Sequence, residues 1–271
     1  MEQSLKSSIR KKIKNNFKYL NLFYTDIPYP ETKFVIYTRG RTGSTVLTDL
    51  LNCHPDIFCD VEIFNFLYSR DRVFFPGSYI NSCSKKAALH KKSVYGFKVK
   101  IAQLRIEHKY KNYHRILEDL HKDGWKFIHL IRKNYLRHKI SNLLSFESNI
   151  YHIREKDERK KIKIKADCDI LMASIKYGEE IEKTEEENLK DIPSLKLIYE
   201  RDLLDNSRHQ ETADRIFSYL GLKTHKVKSQ YKRVSPPDLR DTIINYDEVY
   251  NYFKNTEYFD LLINEAGEYA E

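Results

Sequence analysis

The chain has 271 residues, the upper end of single-domain size and enough to bury a full core. Its 41% hydrophobic and 32% charged residues exclude a disordered chain, and no apolar run approaches membrane-spanning length. The 48 basic against 39 acidic residues, a formal charge of +9, point to an anionic ligand: a nucleotide, a nucleic acid, an acidic glycan or a membrane surface.

In chain order, apolar residues recur at Leu5, Ile9, Ile13 and Phe17 among Lys6, Arg10, Lys11, Lys12 and Lys14. This predicts a basic amphipathic helix that docks on the domain or lies on an anionic membrane surface. Residues 1–32 therefore read as a basic helical extension, and 33–271 as one domain. Pro28 and Pro30 separate the two. Phe34 to Tyr37 is an apolar strand that feeds a turn, Arg39-Gly-Arg-Thr-Gly43, and a helix from Thr45 to about Asn52. The segment His54 to Phe64 returns towards the turn with Asp56, Asp60 and Glu62, and a linker with Pro76, Gly77, Lys85-Lys86 and Lys91-Lys92 follows.

Ser93 to Ile101 alternates with a period of two and reads as a strand. Tyr113, Ile116, Leu117 and Leu120 predict a helix stopped at Gly124, and Trp125 to Arg132 a strand ending in arginine. The next helix carries Arg137, Lys139 and Ser141, and the basic run Arg159 to Lys165 reads as a solvated connector. Asp169 to Lys190 is a long charged helix and Leu195 to Tyr199 a fourth strand. Ser207 and Gln210 suggest a capping box for a helix ending at Gly221. Lys232, Arg233 and Pro236-Pro237 precede a last aromatic-rich helix with Tyr246, Val249, Tyr250 and Phe253. Strands alternating with helices predict an α/β domain: a central parallel sheet with helices on both faces.

The strand, turn and helix at Phe34 to Thr45 form the part with chemistry. Amides of such a turn and of the first helical turn converge on one point, where the helix dipole adds positive potential, so the unit binds a phosphate. A nucleoside triphosphatase loop would carry a lysine before its Ser/Thr; this one does not, and no apolar strand ends in a clear Mg²⁺-binding aspartate. Arginine stands where metal and lysine would. The four cysteines show neither Cys-x-x-Cys nor zinc spacing, which fits a reducing compartment, with a Cys53–Cys59 disulfide left open. No signal-peptide core follows Met1, so a cytoplasmic protein is expected.

Arg41-Thr-Gly-Ser-Thr45 after a strand resembles the 5′-phosphosulfate loop of sulfotransferases that use 3′-phosphoadenosine 5′-phosphosulfate (PAPS). The longer run to Ile57, with Glu62 beyond it, is similar to the bacterial carbohydrate-type branch, which includes the trehalose and nodulation-factor sulfotransferases. Ile131 to Ser141 resembles that branch's 3′-phosphate segment, and Leu197 to Leu204, Leu220-Gly-Leu222 and Lys232-Arg233 follow in the family's order. The resemblance implies a P-loop-type, three-layer α/β/α fold and sulfuryl transfer from PAPS to a hydroxyl, releasing 3′,5′-ADP without a metal. The implied acceptor is a glycan or glycolipid; no nucleic-acid partner is expected.

It also implies residue roles. Amides of Thr42, Gly43, Ser44 and Thr45, with the hydroxyls of Ser44 and Thr45, would hold the 5′-phosphate. Arg41 would meet the oxygen that gains charge as the S–O bond breaks. Arg132 and Ser141 would hold the 3′-phosphate; their spacing is one residue longer than in the cytosolic enzymes, which leaves Lys133 and Arg137 as alternatives to Arg132. Lys232 and Arg233 fall where the family closes over the nucleotide, or form a solvated loop. Glu62 is the candidate general base, with Asp60 and His54 as competitors. His54 reads as packing its turn, Asp60 as pairing with an arginine, and His129 as a buried, satisfied histidine. Arg39 reads as a loop support or a carboxylate's partner, and Tyr199 and Glu200 as anchors of the fourth strand. A small-molecule or nucleotide kinase of similar fold and a non-catalytic nucleic-acid-binding protein are the competing readings.

Overall fold

The computed structural model describes residues 24–65, 73–151, 153–154, 157, 162–233 and 236–266. The amphipathic pattern at Leu5 to Phe17 and the basic run at 159–161 lie outside them. The centre is a five-stranded parallel sheet in the order β2-β3-β1-β4-β6: β1 (Thr32–Thr38), β2 (Ile57–Glu62), β3 (Val94–Val99), β4 (Lys126–Ile131) and β6 (Ser194–Ile198). A short antiparallel ribbon pairs β5 (Ile153–Arg154) with β7 (Tyr231–Lys232).

Phe34 to Thr38 are wholly buried, as befits a central parallel strand covered on both faces. Phe34 and Ile36 pack with α1 (Ser44–Leu51), through Leu47, Leu50 and Leu51, and with the later helix α8 (His209–Leu220). Val35 and Tyr37 pack on the other face with α2 (Pro76–Ser84) and α4 (Tyr113–Lys122) and with Phe97 and Trp125. A third cluster joins α5 (Tyr135–Ser148), α6 (Cys168–Asn188), α9 (Tyr246–Phe253) and α10 (Phe259–Ile263). The result is the three-layer α/β/α arrangement that alternating elements predict.

Four expectations need correction. The linker after Glu62 is helical at α2 and at α3 (Lys86–Leu89), because Pro76 opens the first turn and Tyr79, Ile80, Cys83 and Ala87 turn inward. The segment at Ile57 to Glu62 is a fifth sheet strand, and the acidic residues that obscured its pattern lie at its open end. No capping box forms at Ser207: Asp205 caps a short 3-10 turn there, and Gln210 instead reaches the His225 carbonyl. The connector ending at Lys165 is not wholly solvated either, since Ile164 is buried and bridges Ile243.

The topology locates a crevice. From β1 the chain leads to β2 on one side of the sheet, and from β4 it leads to β6 on the other. Adjacent strands β1 and β4 thus form a switch point, where α/β sheets leave room for a ligand beyond the strands' carboxyl ends.

Candidate functional site

At that switch point lies a cleft with about 770 Å³ of empty space, open to solvent. Its lining includes Arg41, Gly43, Ser44, Thr45, Arg132, Ser141, Lys232 and Arg233, which are far apart in sequence. Tyr151, Ile153, Tyr199, Leu203, Leu204 and Tyr231 supply apolar walls between these polar groups.

The loop between β1 and α1 is shaped by two left-handed residues, Arg41 (φ 63°) and Gly43 (φ 77°). An arginine there is uncommon and signals a backbone held for a purpose. Gly43 caps α1 without a side-chain hydrogen bond, so the first amides of the helix keep their capacity for an anion. A Cβ on Gly43 would lie 2.7 Å from the Tyr199 ring, so only glycine lets the loop close on that tyrosine. Tyr199, expected as a strand anchor, therefore lines the cleft. It also carries the Arg132 guanidinium, 4.7 Å from its ring centroid.

Below the loop, the Thr42 hydroxyl faces away from the cleft. It donates to the Arg39 carbonyl (2.9 Å) and meets the Thr38 hydroxyl (2.7 Å), which itself donates to Leu130 of β4 (2.7 Å). His138 on α5 reaches the Gly40 carbonyl at 2.6 Å; burial, and then Arg132, push its pKa down to about 3. The ring is therefore neutral and donates to that carbonyl, pinning the loop to α5.

The arginines differ in their partners. Arg41 donates to the Ser141 hydroxyl (3.2 Å) and the Tyr151 carbonyl (2.5 Å), both neutral. Burial, and then Arg132, push its pKa down to about 10, so it stays charged at neutral pH but is poorly compensated. Arg132 donates to the Arg41 carbonyl (3.0 Å), and its buried Nε, 3.6 Å from Glu200, has no hydrogen-bond partner. Glu200 accepts from the backbone amides of Lys133 and Asn134, at 3.0 Å each. Of the alternatives to Arg132, Lys133 is engaged by Glu182, while Arg137 donates to the carbonyls of Pro237 and Leu262 and lies near Glu265. Neither lines the cleft. Lys232 and Arg233 enter it from the ribbon: Lys232 bonds the Asp157 carbonyl, and Arg233 pairs with Glu265.

Glu62 stands on the other side of β1. A bulge after Asp60 turns its register, so that Asp60 bonds Tyr95 and Lys86 while Glu62 meets Lys98 (3.3 Å) and Lys100 (2.7 Å). Asp60 thus pairs with a lysine rather than an arginine. Gln103 adds a hydrogen bond to Glu62 at 2.9 Å. Burial alone would raise the Glu62 pKa, but Lys98 and Lys100 more than offset it and hold the carboxyl below its usual value. Lys98 also donates to the Thr45 hydroxyl at 3.2 Å, which links this corner to the phosphate loop.

Lys98 and Lys100 escaped the sequence reading, which takes the period-two pattern of Ser93 to Ile101 as a strand and assigns its lysines no role. In a sheet covered on both sides, a lysine at the end of a buried strand was the available signal. His54 packs its turn, with Nε2 at the Lys223 carbonyl (3.1 Å). His129 is buried, but its Nε2 lacks a hydrogen-bond partner and lies 3.7 Å from Glu185. Cys53, Cys59, Cys83 and Cys168 are free thiols, so no Cys53–Cys59 disulfide is present.

No protein-family model and no curated protein matches the sequence. Among solved structures, the chain is similar to the sulfotransferase domain of the Synechococcus PCC 7002 olefin synthase. The identity is 15% and the TM-score 0.41, over 90% of this chain and 98% of that one. Among the described residues, no helix is long and apolar enough to cross a membrane.

Proposed function

We propose that the protein is a cytoplasmic sulfotransferase that moves a sulfuryl group from PAPS to a hydroxyl acceptor by metal-free in-line displacement, with a carbohydrate as the acceptor class. One observation carries this reading. A helix N-terminus with Ser44 and Thr45, and a second anion position with Arg132 and Ser141, share one cleft and are joined by Arg41. Two linked phosphate positions suit a 3′,5′-bisphosphate better than a triphosphate chain.

Bound PAPS supplies the sulfuryl group and leaves as 3′,5′-ADP. The chain's own residues do the rest. The Arg132 guanidinium and the Ser141 hydroxyl, which both line the cleft, fit a 3′-phosphate, with Tyr199 holding the guanidinium plane. Ser44, Thr45 and the first amides of α1 fit the 5′-phosphate. Among the described residues Arg41 has only neutral contacts to give up, so an incoming anion gains its charge without breaking an ion pair with them. Lys98, at the Thr45 hydroxyl, adds positive charge where negative charge develops. Glu62 is the proposed base: its lysines keep it ionised at neutral pH, and it takes the acceptor's proton as a lysine turns towards the transferring group.

Calorimetric titration with 3′,5′-ADP, 5′-AMP and ATP tests the reading. The wild type should prefer 3′,5′-ADP, and Arg132→Ala should lose that preference by about ten- to a hundredfold, the worth of a charge-assisted hydrogen bond or two. Equal binding of all three would refute it. Mg²⁺-dependent ATP turnover would favour a kinase instead.

A further inference from the structure

We propose that Glu185, on α6, is a positioning residue for the phosphate loop and acts through Arg39. The proposal rests on reading residues 39–45 as an anion-binding loop, but not on which group is transferred. Arg39 opens the loop. Its backbone carbonyl accepts from the Thr42 hydroxyl (2.9 Å), so its position sets that of the turn above it. Its side chain leaves the cleft altogether and runs down to α6. There the guanidinium lies over the Tyr135 ring at 5.4 Å, donates to the Gly178 carbonyl at 3.1 Å, and stands 3.2 Å from the Glu185 carboxylate.

Gly178 makes this approach possible. A Cβ there would sit 2.5 Å from the Tyr135 ring, so α6 reaches α5 and the loop root only with glycine at that point. Glu185 has no exposed side-chain surface, and Arg39 has 11%. The same carboxylate oxygen also lies 3.7 Å from His129 Nε2 on β4.

This arrangement is poor as a stability device. Both Glu185 oxygens, Arg39 Nε and Nη2, and His129 Nε2 are buried without a hydrogen-bond partner. A buried ion pair repays its desolvation only with excellent geometry and satisfied hydrogen bonds, and otherwise an apolar pair does as well or better. What the charge on Glu185 does accomplish is direction. It draws Arg39 away from the cleft and towards α6, which fixes the root of the loop and keeps this arginine from competing for the ligand that Arg41 and Arg132 face.

The experiment compares wild type, Glu185→Gln, Glu185→Asp and the charge-free double variant Arg39→Leu/Glu185→Leu, without ligand and with 3′,5′-ADP. Hydrogen exchange without ligand should rise about tenfold at the amides of residues 40–45 in Glu185→Gln, a local opening easier by ~1.4 kcal/mol, while α8 keeps its protection. Affinity for 3′,5′-ADP should fall by about the same factor, and Glu185→Asp should recover part of it. Unchanged loop exchange, or an equal loss of protection in the loop and α8, would overturn the proposal. If Glu185→Gln fails to fold, the double variant decides: folded with a loosened loop supports the role, folded with a wild-type loop refutes it. A wild type that ignores 3′,5′-ADP, with loop exchange still responding to Glu185, would sink the sulfotransferase reading and leave the positioning role standing.

Discussion

Strand β1 has a neighbour on each side, and each delivers cations to the same loop in a different electrostatic state. On the β4 side, Arg41 meets, among the described residues, only a hydroxyl and a carbonyl, while Arg132 lies over a tyrosine with its Nε 3.6 Å from the Glu200 carboxylate. On the β3 side, Lys98 and Lys100 are matched by the Glu62 carboxylate. In the first half, Arg41 has no carboxylate beside it among the described residues, which suits an anionic ligand. In the second, one carboxylate bridges both lysines, and that pairing can rearrange, as proton transfer requires. Charge count alone would rank the two sides alike; partner identity separates them.

Perturbing each side should therefore give different signatures. The largest effect is expected for Arg41→Ala. As the unpaired cation at the loop, it should lower the rate of sulfuryl transfer by about a hundred- to a thousandfold, measured in single turnover. Survival of the rate would break the contrast, because the β4 side would then carry no special charge.

Glu62→Gln should keep affinity for 3′,5′-ADP and lose about a hundredfold or more in transfer rate, the usual worth of a general base. The same variant sharpens the contrast through pH. Glu62 has a folded pKa below its ordinary 4.5, so its contribution to stability is complete above that value and disappears as pH falls through the folded value. Thermal melts of wild type and Glu62→Gln should thus differ at pH 7 and converge in acid. Parallel curves throughout would mean that the lysines do not hold the carboxylate.

The smallest effect is expected where the two sides share one backbone. Gly43→Ala must adopt φ 77° and press its Cβ against Tyr199, which should cost about 1–3 kcal/mol of stability. The companion change Tyr199→Leu should relieve the clash but not the backbone strain, so partial recovery in denaturant unfolding is the expected result.

Much of this was legible beforehand. The apolar runs at Phe34, Trp125 and Leu195 became parallel strands, the first two buried, and Gly124 and Gly221 end their helices with positive φ. The cleft gathers the arginines and hydroxyls that the loop and the Arg132–Ser141 segment suggested, though Thr42 turns its side chain inward. What was not legible follows a pattern. The strand at Ile57 was masked by its acidic end, and the inward Lys98 of β3 by a period-two pattern that says which residues share a face but not what covers it. Asp60 and Glu62 differ by two positions and would share a face, until a bulge that no local signal announces sends them to different partners.

The sequence by itself determined the loop, because a strand, a glycine turn and a helix start are local events set by residues a few positions apart. Only the tertiary structure decided which cations that loop can use. Arg39, Arg41, Arg132 and Lys133 are equivalent as letters, but Glu185, Glu182 and Glu200 come from elements some fifty or more residues away and engage three of them to different degrees. Arg41 alone of the four has no such carboxylate beside it among the described residues, and burial, by removing water, makes that difference count.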